Sequence, residues 1–321
     1  MKKQYLFSFV LALLSVVAAH SIEEIGIKNY YHQKATTFLK ESGYFDLAHV
    51  NDCTPLPMGN APFLHFSLFD SLNFACLQAN QENVVLYNTA SNSVGTNLNI
   101  HLISKIRDVV VVDSSLILLD DNMAVYRSYA PFDSLHTEKI MEGINFVKSA
   151  AVCHHPLTHR LFIVGDVLES DFPTTERSVY TINLNKRNYN ELPLFTFDVA
   201  DLELFAEANH IKINSFKIDE NGDSIPGLTF LPTAIAIHPK TNEIYLLSSV
   251  DKSMAVFNQF GELVNFAFLA DRHFTQPTAM TFNPKGDLFI SNNDLLNNSI
   301  LKINWNKLVQ RKDTNSLIFG L

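Results

Sequence analysis

The sequence predicts an all-β chain folded as a five-bladed β-propeller, with a six-bladed ring as the alternative. Two observations lead there. A strand–turn–strand pattern returns along the chain, with its clearest turn prolines, Pro239 and Pro284, 45 residues apart, and short strands repeating every 40–50 residues or so are the pattern of propeller blades. The composition also suits one large core: hydrophobic residues make up 47%, including 25 Phe and 10 Tyr. That content excludes wholesale disorder. A net charge of −9 with no long basic run argues against a nucleic-acid partner.

Taken in order, the chain begins with Lys2 and Lys3, then a nearly continuous apolar run from Tyr5 to Ala19, then small residues around Ala18, Ala19 and Ser21. This is the layout of a secretory signal peptide over residues 1–21. The run is short for a bilayer span, so the mature protein is expected to keep no membrane segment and to be extracytoplasmic, periplasmic or secreted. Residues 22–42 read as an N-terminal extension that could carry a helix. Residues 43–321 read as a single propeller domain.

The repeat is plainest at residues 233–248, TAIAIHPKTNEIYLLS, and again at 278–291, TAMTFNPKGDLFIS. An earlier copy is AAVCHHPLTHRLFIV at 150–164. Each reads as a strand, a Pro-containing turn and a second strand. Third strands follow at 179–184, 254–258 and 300–304. Two weaker units lie at 63–88 and 109–129. Fourth strands are expected at 97–102, 138–140, 194–198 and 262–269, and residues 43–49 are expected to close the ring on the last blade. Between the third and fourth units, Val199, Leu202, Phe205 and Ala206 have helical spacing, which predicts a short inserted helix over 198–210.

The segments LPTAIAIHPKTNEIYLLSS at 231–249 and FTQPTAMTFNPKGDLFISN at 274–292 resemble the SdiA-regulated family of exported bacterial propellers, itself distantly similar to NHL-repeat and gluconolactonase-like propellers. The resemblance is specific over residues 145–305 and faint over 40–130. It implies five blades and a calcium site near the channel, with no established reaction. Blades of that family usually begin with Glu-Gly or Ser-Gly. The equivalent pairs here are Arg107-Asp108, Ala150-Ala151, Thr233-Ala234 and Thr278-Ala279. Calcium wants six to eight oxygens, several of them anionic, so loss of the family's calcium site is the expectation.

In a propeller, the loops leading into first strands and those leaving second strands share one face. Loops on a rigid scaffold commonly carry function. The candidate binding residues on that face are Arg107, Asp120, Asp121, Lys148, Asp166, Thr233, Asp251, Gln276, Thr278, Asn292, Asn293 and Asp294. A weaker metal candidate is Asp219, Asn221 and Asp223, whose oxygens alternate as in calcium loops. The Gly and Glu of an EF-hand are replaced there by Ser224 and Phe230. His155 and His159 straddle Pro156 and read as turn residues rather than metal ligands. Of the three cysteines, Cys53 and Cys76 are the pair that export would permit to bridge, with three free thiols as the other reading.

No GxSxG, HExxH or phosphate-binding glycine loop occurs. The sequence therefore points to a non-catalytic, exported module binding a small molecule, glycan or protein through its loop-rich face, without a cofactor. The alternative is a calcium- or metal-dependent lactonase or phosphoesterase using Asp120, Asp166, Asp251 and Asn292 to hold the ion.

Overall fold

The structure, a computed structural model, describes residues 53–57, 63–78, 84–98, 100, 103, 105–120, 122–142, 147–167, 175–219, 221–269, 273–293 and 299–303. For 53–57, 134, 147–150 and 165–167 the description is of the backbone alone. The predicted signal segment 1–21, the extension 22–42 and residues 43–49 lie outside the described residues.

Strand β1 (Cys53–Pro57) comes first. Blade one is β2 (Phe63–Leu68), β3 (Asn73–Gln78), β4 (Val84–Asn88) and β5 (Ser93–Leu98). Blade two is β6 (Ile106–Val112), β7 (Ser115–Asp120), β8 (Val125–Ser128) and β9 (Thr137–Met141). Blade three is β10 (Val147–His155), β11 (Arg160–Val167), β12 (Glu176–Asn183), β13 (Asn188–Tyr189) and β14 (Phe195–Asp198), the last two both pairing with β12. Helix α1 (Val199–Ala208) and a hairpin of β15 (Phe216–Ile218) and β16 (Ser224–Pro226) precede blade four. That blade is β17 (Pro232–Ile237), β18 (Ile244–Ser248), β19 (Ser253–Phe257) and β20 (Leu263–Phe268). Blade five is β21 (Pro277–Phe282), β22 (Leu288–Asn292) and β23 (Ser299–Ile303), completed by β1.

Each blade is an antiparallel meander with its first strand innermost. These inner strands pack in a closed cycle, β2 to β6 to β10 to β17 to β21 and back to β2. The ring has five blades, and the six-bladed alternative does not hold. Ring closure also differs from the expectation in place. It is β1, not residues 43–49, that pairs antiparallel with β23, from Cys53 opposite Ile303 to Pro57 opposite Ser299. Pro55 and Pro57 break the strand pattern in the sequence. On an outermost strand their missing N–H groups are tolerated, and they blunt the open edge.

The core lies between blades rather than at the axis. Val110, Ile117 and Val125 of blade two meet Val152, Leu161 and Ile182 of blade three. Tyr245, Leu247 and Met254 of blade four meet Met280, Leu288 and Ile290 of blade five. Phe74 meets Phe289 across the closing interface, ring centroids 5.1 Å apart, joining first blade to last. Strand alternation sends one face of each sheet to the preceding blade and the other to the next. This is why the second and third strands read as continuous apolar runs.

Helix α1 forms where the sequence predicts it. Asp198 caps it by accepting the Ala200 N–H at 2.9 Å. Leu202, Phe205 and Ala206 are fully buried against Phe197, Phe230 and Phe257. Burial of a Phe or Leu side chain contributes about 1.5–3 kcal/mol, so the insertion is anchored to the third and fourth blades. Among the described residues, no helix is long and apolar enough to cross a membrane.

Candidate functional site

The five inner strands share one irregularity. Each has an extra residue where it begins: Leu64, Arg107, Ala150, Thr233 and Thr278 fall at register shifts against the neighbouring second strand. A bulge re-aims side chains at the rim of a sheet. The residue after each bulge is then equivalent around the ring: His65, Asp108, Ala151, Ala234 and Ala279. Three blades place a methyl group at this level. The two adjacent blades one and two place an imidazole and a carboxylate.

These two side chains meet. His65 Nδ1 lies 3.3 Å from Asp108 Oδ1. Asp108 is only 4% exposed. Its Oδ1 accepts the Val109 N–H at 2.7 Å and its Oδ2 accepts the Val152 N–H of blade three at 2.8 Å. The open edge of an inner strand has N–H groups with no ladder partner, and Asp108 satisfies two of them while orienting His65. One carboxylate thereby ties three blades together. Ser67 adds a smaller bond of the same kind, its hydroxyl accepting the Val111 N–H at 3.1 Å. Burial raises the Asp108 pKa, opposed first by His65 and then by the two N–H donors. Burial also pushes the Cys76 and Cys153 thiols well above their ordinary range, so neither serves as a thiolate nucleophile near neutral pH. Among the described cysteine side chains, Cys76 and Cys153 are free thiols.

Sequence reasoning aligned Arg107-Asp108 with the other three pairs but weighed only the lost family carboxylates. Adding Leu64-His65 of blade one as the fifth pair would have exposed the series His, Asp, Ala, Ala, Ala. The missing signal was the bulge in blade one, which the faint repeat there conceals.

Most of the predicted rim residues whose side chains are described are engaged within their own blades and loops. Asp120 closes the turn after β7: its Oδ1 accepts the Asn122 and Ala124 N–H groups at 2.9 Å each, and its Oδ2 accepts the Tyr126 hydroxyl. Asn292 holds the loop leading into β21, accepting the Gln276 N–H at 2.7 Å and donating to the His273 carbonyl. Asn293 donates its N–H to the Gln276 carbonyl. Thr233 pairs with Ser249 at 2.9 Å, and Ser249 in turn donates to the Pro277 carbonyl of the next blade. Thr278 pairs with Ser291 at 2.9 Å. Arg107 and the Gln276 side chain remain exposed on this face. Lys148 and Asp166 are opposed in the β10–β11 register. Asp121 and Asp294 lie outside the described residues.

Asp219, Asn221 and Asp223 form the turn of the β15–β16 hairpin, where Asp219 Oδ1 accepts the N–H groups of Asn221 and Asp223 at 2.9 and 2.8 Å. Among the described residues, no three His, Cys, Asp or Glu side chains are grouped to hold a metal ion.

Asp251 has the most demanding local task. It is 5% exposed and accepts the Phe230 N–H at 2.6 Å, the Thr229 N–H at 3.2 Å and the Ser248 hydroxyl at 3.0 Å. From blade three, Arg177 Nε donates to the Phe230 carbonyl at 3.0 Å and its Nη2 to the Thr229 carbonyl at 3.1 Å. The carboxylate thus takes the donors of this dipeptide and the guanidinium takes its acceptors. The clamp fixes the crossover into blade four, where Phe230 adopts a φ of 37°. Asp251→Ala is expected to cost about 3 kcal/mol by leaving buried donors unpaired. Urea unfolding should show it as a lower midpoint with unchanged slope.

On the opposite face, the turns between first and second strands bury histidines. His238 Nδ1 is 2.9 Å from Thr241 Oγ1, and Asn283 takes the same turn position in blade five, accepting the Lys285 and Asp287 N–H groups. His154 is held down to about 4 by burial, against the pull of Asp113 and with the push of His159, His155 and Arg127. His155 and His238 are lowered as well, chiefly by burial. The unfolded chain takes up protons near pH 6.5 where the folded chain resists. Stability present in full above pH 6.5 should therefore fall as the pH drops towards 4. His154 contributes about 1–2 kcal/mol of that loss, allowing for its partial exposure. His154→Phe should flatten the difference between urea midpoints at pH 7 and 4.5, and an unchanged difference would contradict this.

No family model matches the chain, and no curated protein matches it. Solved structures share its fold. The glutaminyl cyclase of Myxococcus xanthus aligns with a TM-score of 0.52 at 11% identity, covering 82% of this chain and 97% of that one. Regucalcin, a calcium-binding protein of Agrobacterium tumefaciens, aligns with a TM-score of 0.48 at 12% identity over 82% of this chain and 95% of its own. A protein of unknown function from Bacteroides thetaiotaomicron aligns with a TM-score of 0.45 at 12% identity over 82% and 74%. The likeness to the glutaminyl cyclase shows a shared fold alone.

Proposed function

We propose that this is an exported propeller that binds a small polar ligand, or a polar group of a glycan or protein, at the mouth of its central channel. His65 is the reading group and Asp108 its positioning residue. The observation that supports this is the asymmetry of the inner ring, with an oriented imidazole and carboxylate on two neighbouring blades and alanine on three. Asp108 fixes the ring orientation of His65 through Nδ1, leaving Nε2 as the nitrogen to meet a ligand. Arg107, the exposed bulge residue of the same strand as Asp108, supplies positive charge beside the pair. The signal-peptide layout and the resemblance of residues 145–305 to the SdiA-regulated propellers support export.

A thermal-shift screen of sugars, sugar acids and organic acids on the mature chain tests this reading. A ligand that raises the melting temperature of the wild type, and does so far less for His65→Ala and Arg107→Ala, would support it. Ligands that act equally on all three proteins would place the binding elsewhere and overturn it.

The hydrolase reading gains one specific support. A carboxylate on His65 Nδ1 is how an imidazole is poised as a general base. His65 would activate water for attack on a lactone or ester, without drawing on Asp120, Asp251 or Asn292, whose oxygens already serve their loops. Turnover of a lactone and phosphoester panel that is lost in His65→Ala would favour this reading. Turnover that calcium restores after chelation would favour the metal-dependent form.

A further inference from the structure

The hairpin face of the ring, opposite the channel mouth proposed above, carries a recess. Between blades three and four lies a cavity of about 290 Å³, close to the lower end of ligand-binding pockets, about 300–1,000 Å³. Its walls include Phe162, Ile244, Leu194 and Phe260. Phe260 is 75% exposed and Leu194 41% exposed, so the recess opens through an apolar lip. In its lining His155 is 8% exposed, its ring tilted against that of Phe162 with centroids 5.2 Å apart.

Arg160 and Thr181 line this cavity and also a neighbouring one of about 240 Å³, which Lys186, Asn188 and Tyr189 complete. The two recesses thus form one groove with an apolar end and a cationic polar end. Neither lining contains a carboxylate, on a chain whose net charge is −9. Arg160 and Lys186 make no ion pair among the described residues.

We infer that this groove binds a small amphipathic organic anion. The apolar body rests on Phe162, Leu194 and Phe260, and its carboxylate is received by Arg160, whose planar fork suits it. Lys186 adds long-range attraction.

Calorimetric titration of the mature chain at low salt tests the inference with decanoate and 2-naphthoate as anions, and with decanol and decyltrimethylammonium as neutral and cationic counterparts. At least one anion is expected to bind, more tightly than decanol, and decyltrimethylammonium is expected not to bind. Arg160→Gln should weaken the anion about tenfold or more and leave decanol unchanged. Phe260→Ser should weaken both. Arg160 and Phe260 are both exposed, so the variants should fold, which circular dichroism of each is to check. His65→Ala should leave this binding intact, which separates it from the channel-mouth proposal. Failure of both anions to bind at about 1 mM, or an affinity indifferent to Arg160→Gln, would overturn it.

Discussion

A chain that begins after Pro57 is expected to lose most of its folded population. Strand β1 supplies the fourth strand of blade five, paired over five residues with β23. Its removal deletes a ladder whose bonds contribute about 1 kcal/mol each, so the direct loss is about 3–5 kcal/mol. It also uncovers the edge of β23, where Ile300 and Ile303 are fully buried. Because the inner strands form a closed cycle, blade five meets blade one through Phe74 and Phe289, and loosening the last blade strips the first. Domains of ordinary stability hold about 5–15 kcal/mol in all, so the truncated chain should melt far lower and aggregate through its open edge. A peptide spanning residues 51–60 supplied in trans should recover part of the loss by strand addition. A truncated chain with the melting temperature of the untruncated protein would contradict this account of closure.

Asp108→Ala is expected to cost about 3 kcal/mol or more. The carboxylate is the common acceptor for the Val109 and Val152 N–H groups and for His65. Alanine leaves those donors unpaired in a site closed to solvent, at about 1–3 kcal/mol for each buried group. Asp108→Asn keeps the shape and one acceptor oxygen, so its cost should be smaller. The two variants differ in their pH dependence. Burial raises the Asp108 pKa above 3.8 in the folded chain, so the fold prefers the protonated form, and its contribution is lost as the pH rises from 3.8 through the raised value. The amide has no charge to bury. The stability gap between wild type and Asp108→Asn should therefore narrow as the pH rises through that window, and urea midpoints at several pH values would show it. A gap that widens would mean that the N–H donors outweigh burial.

The Asp108 prediction also bears on function. If His65 reads a ligand, Asp108→Asn should weaken binding while the chain stays folded, because the amide can present its NH2 rather than an acceptor to Nδ1 and so release the ring. A purely architectural Asp108 would leave the affinity untouched.

The sequence alone determined the blade grammar. Near-continuous apolar runs, punctuated by Pro156, Pro239 and Pro284, locate the first and second strands because burial against two neighbouring blades needs apolar residues on both faces. The spacing of Leu202, Phe205 and Ala206 located the helix for a similar reason, since one packed face imposes its period on the chain. Asp120, Asp251 and Asn292 were legible as polar loop residues, but whether a carboxylate faces solvent or its own backbone depends on which N–H groups the fold leaves unpaired nearby. The tertiary structure decided that, along with the closing strand at Cys53–Pro57 and the meeting of His65 with Asp108. Strand pairing between chain ends and contact between residues of separate blades arise only when the ring shuts, and no local pattern records them.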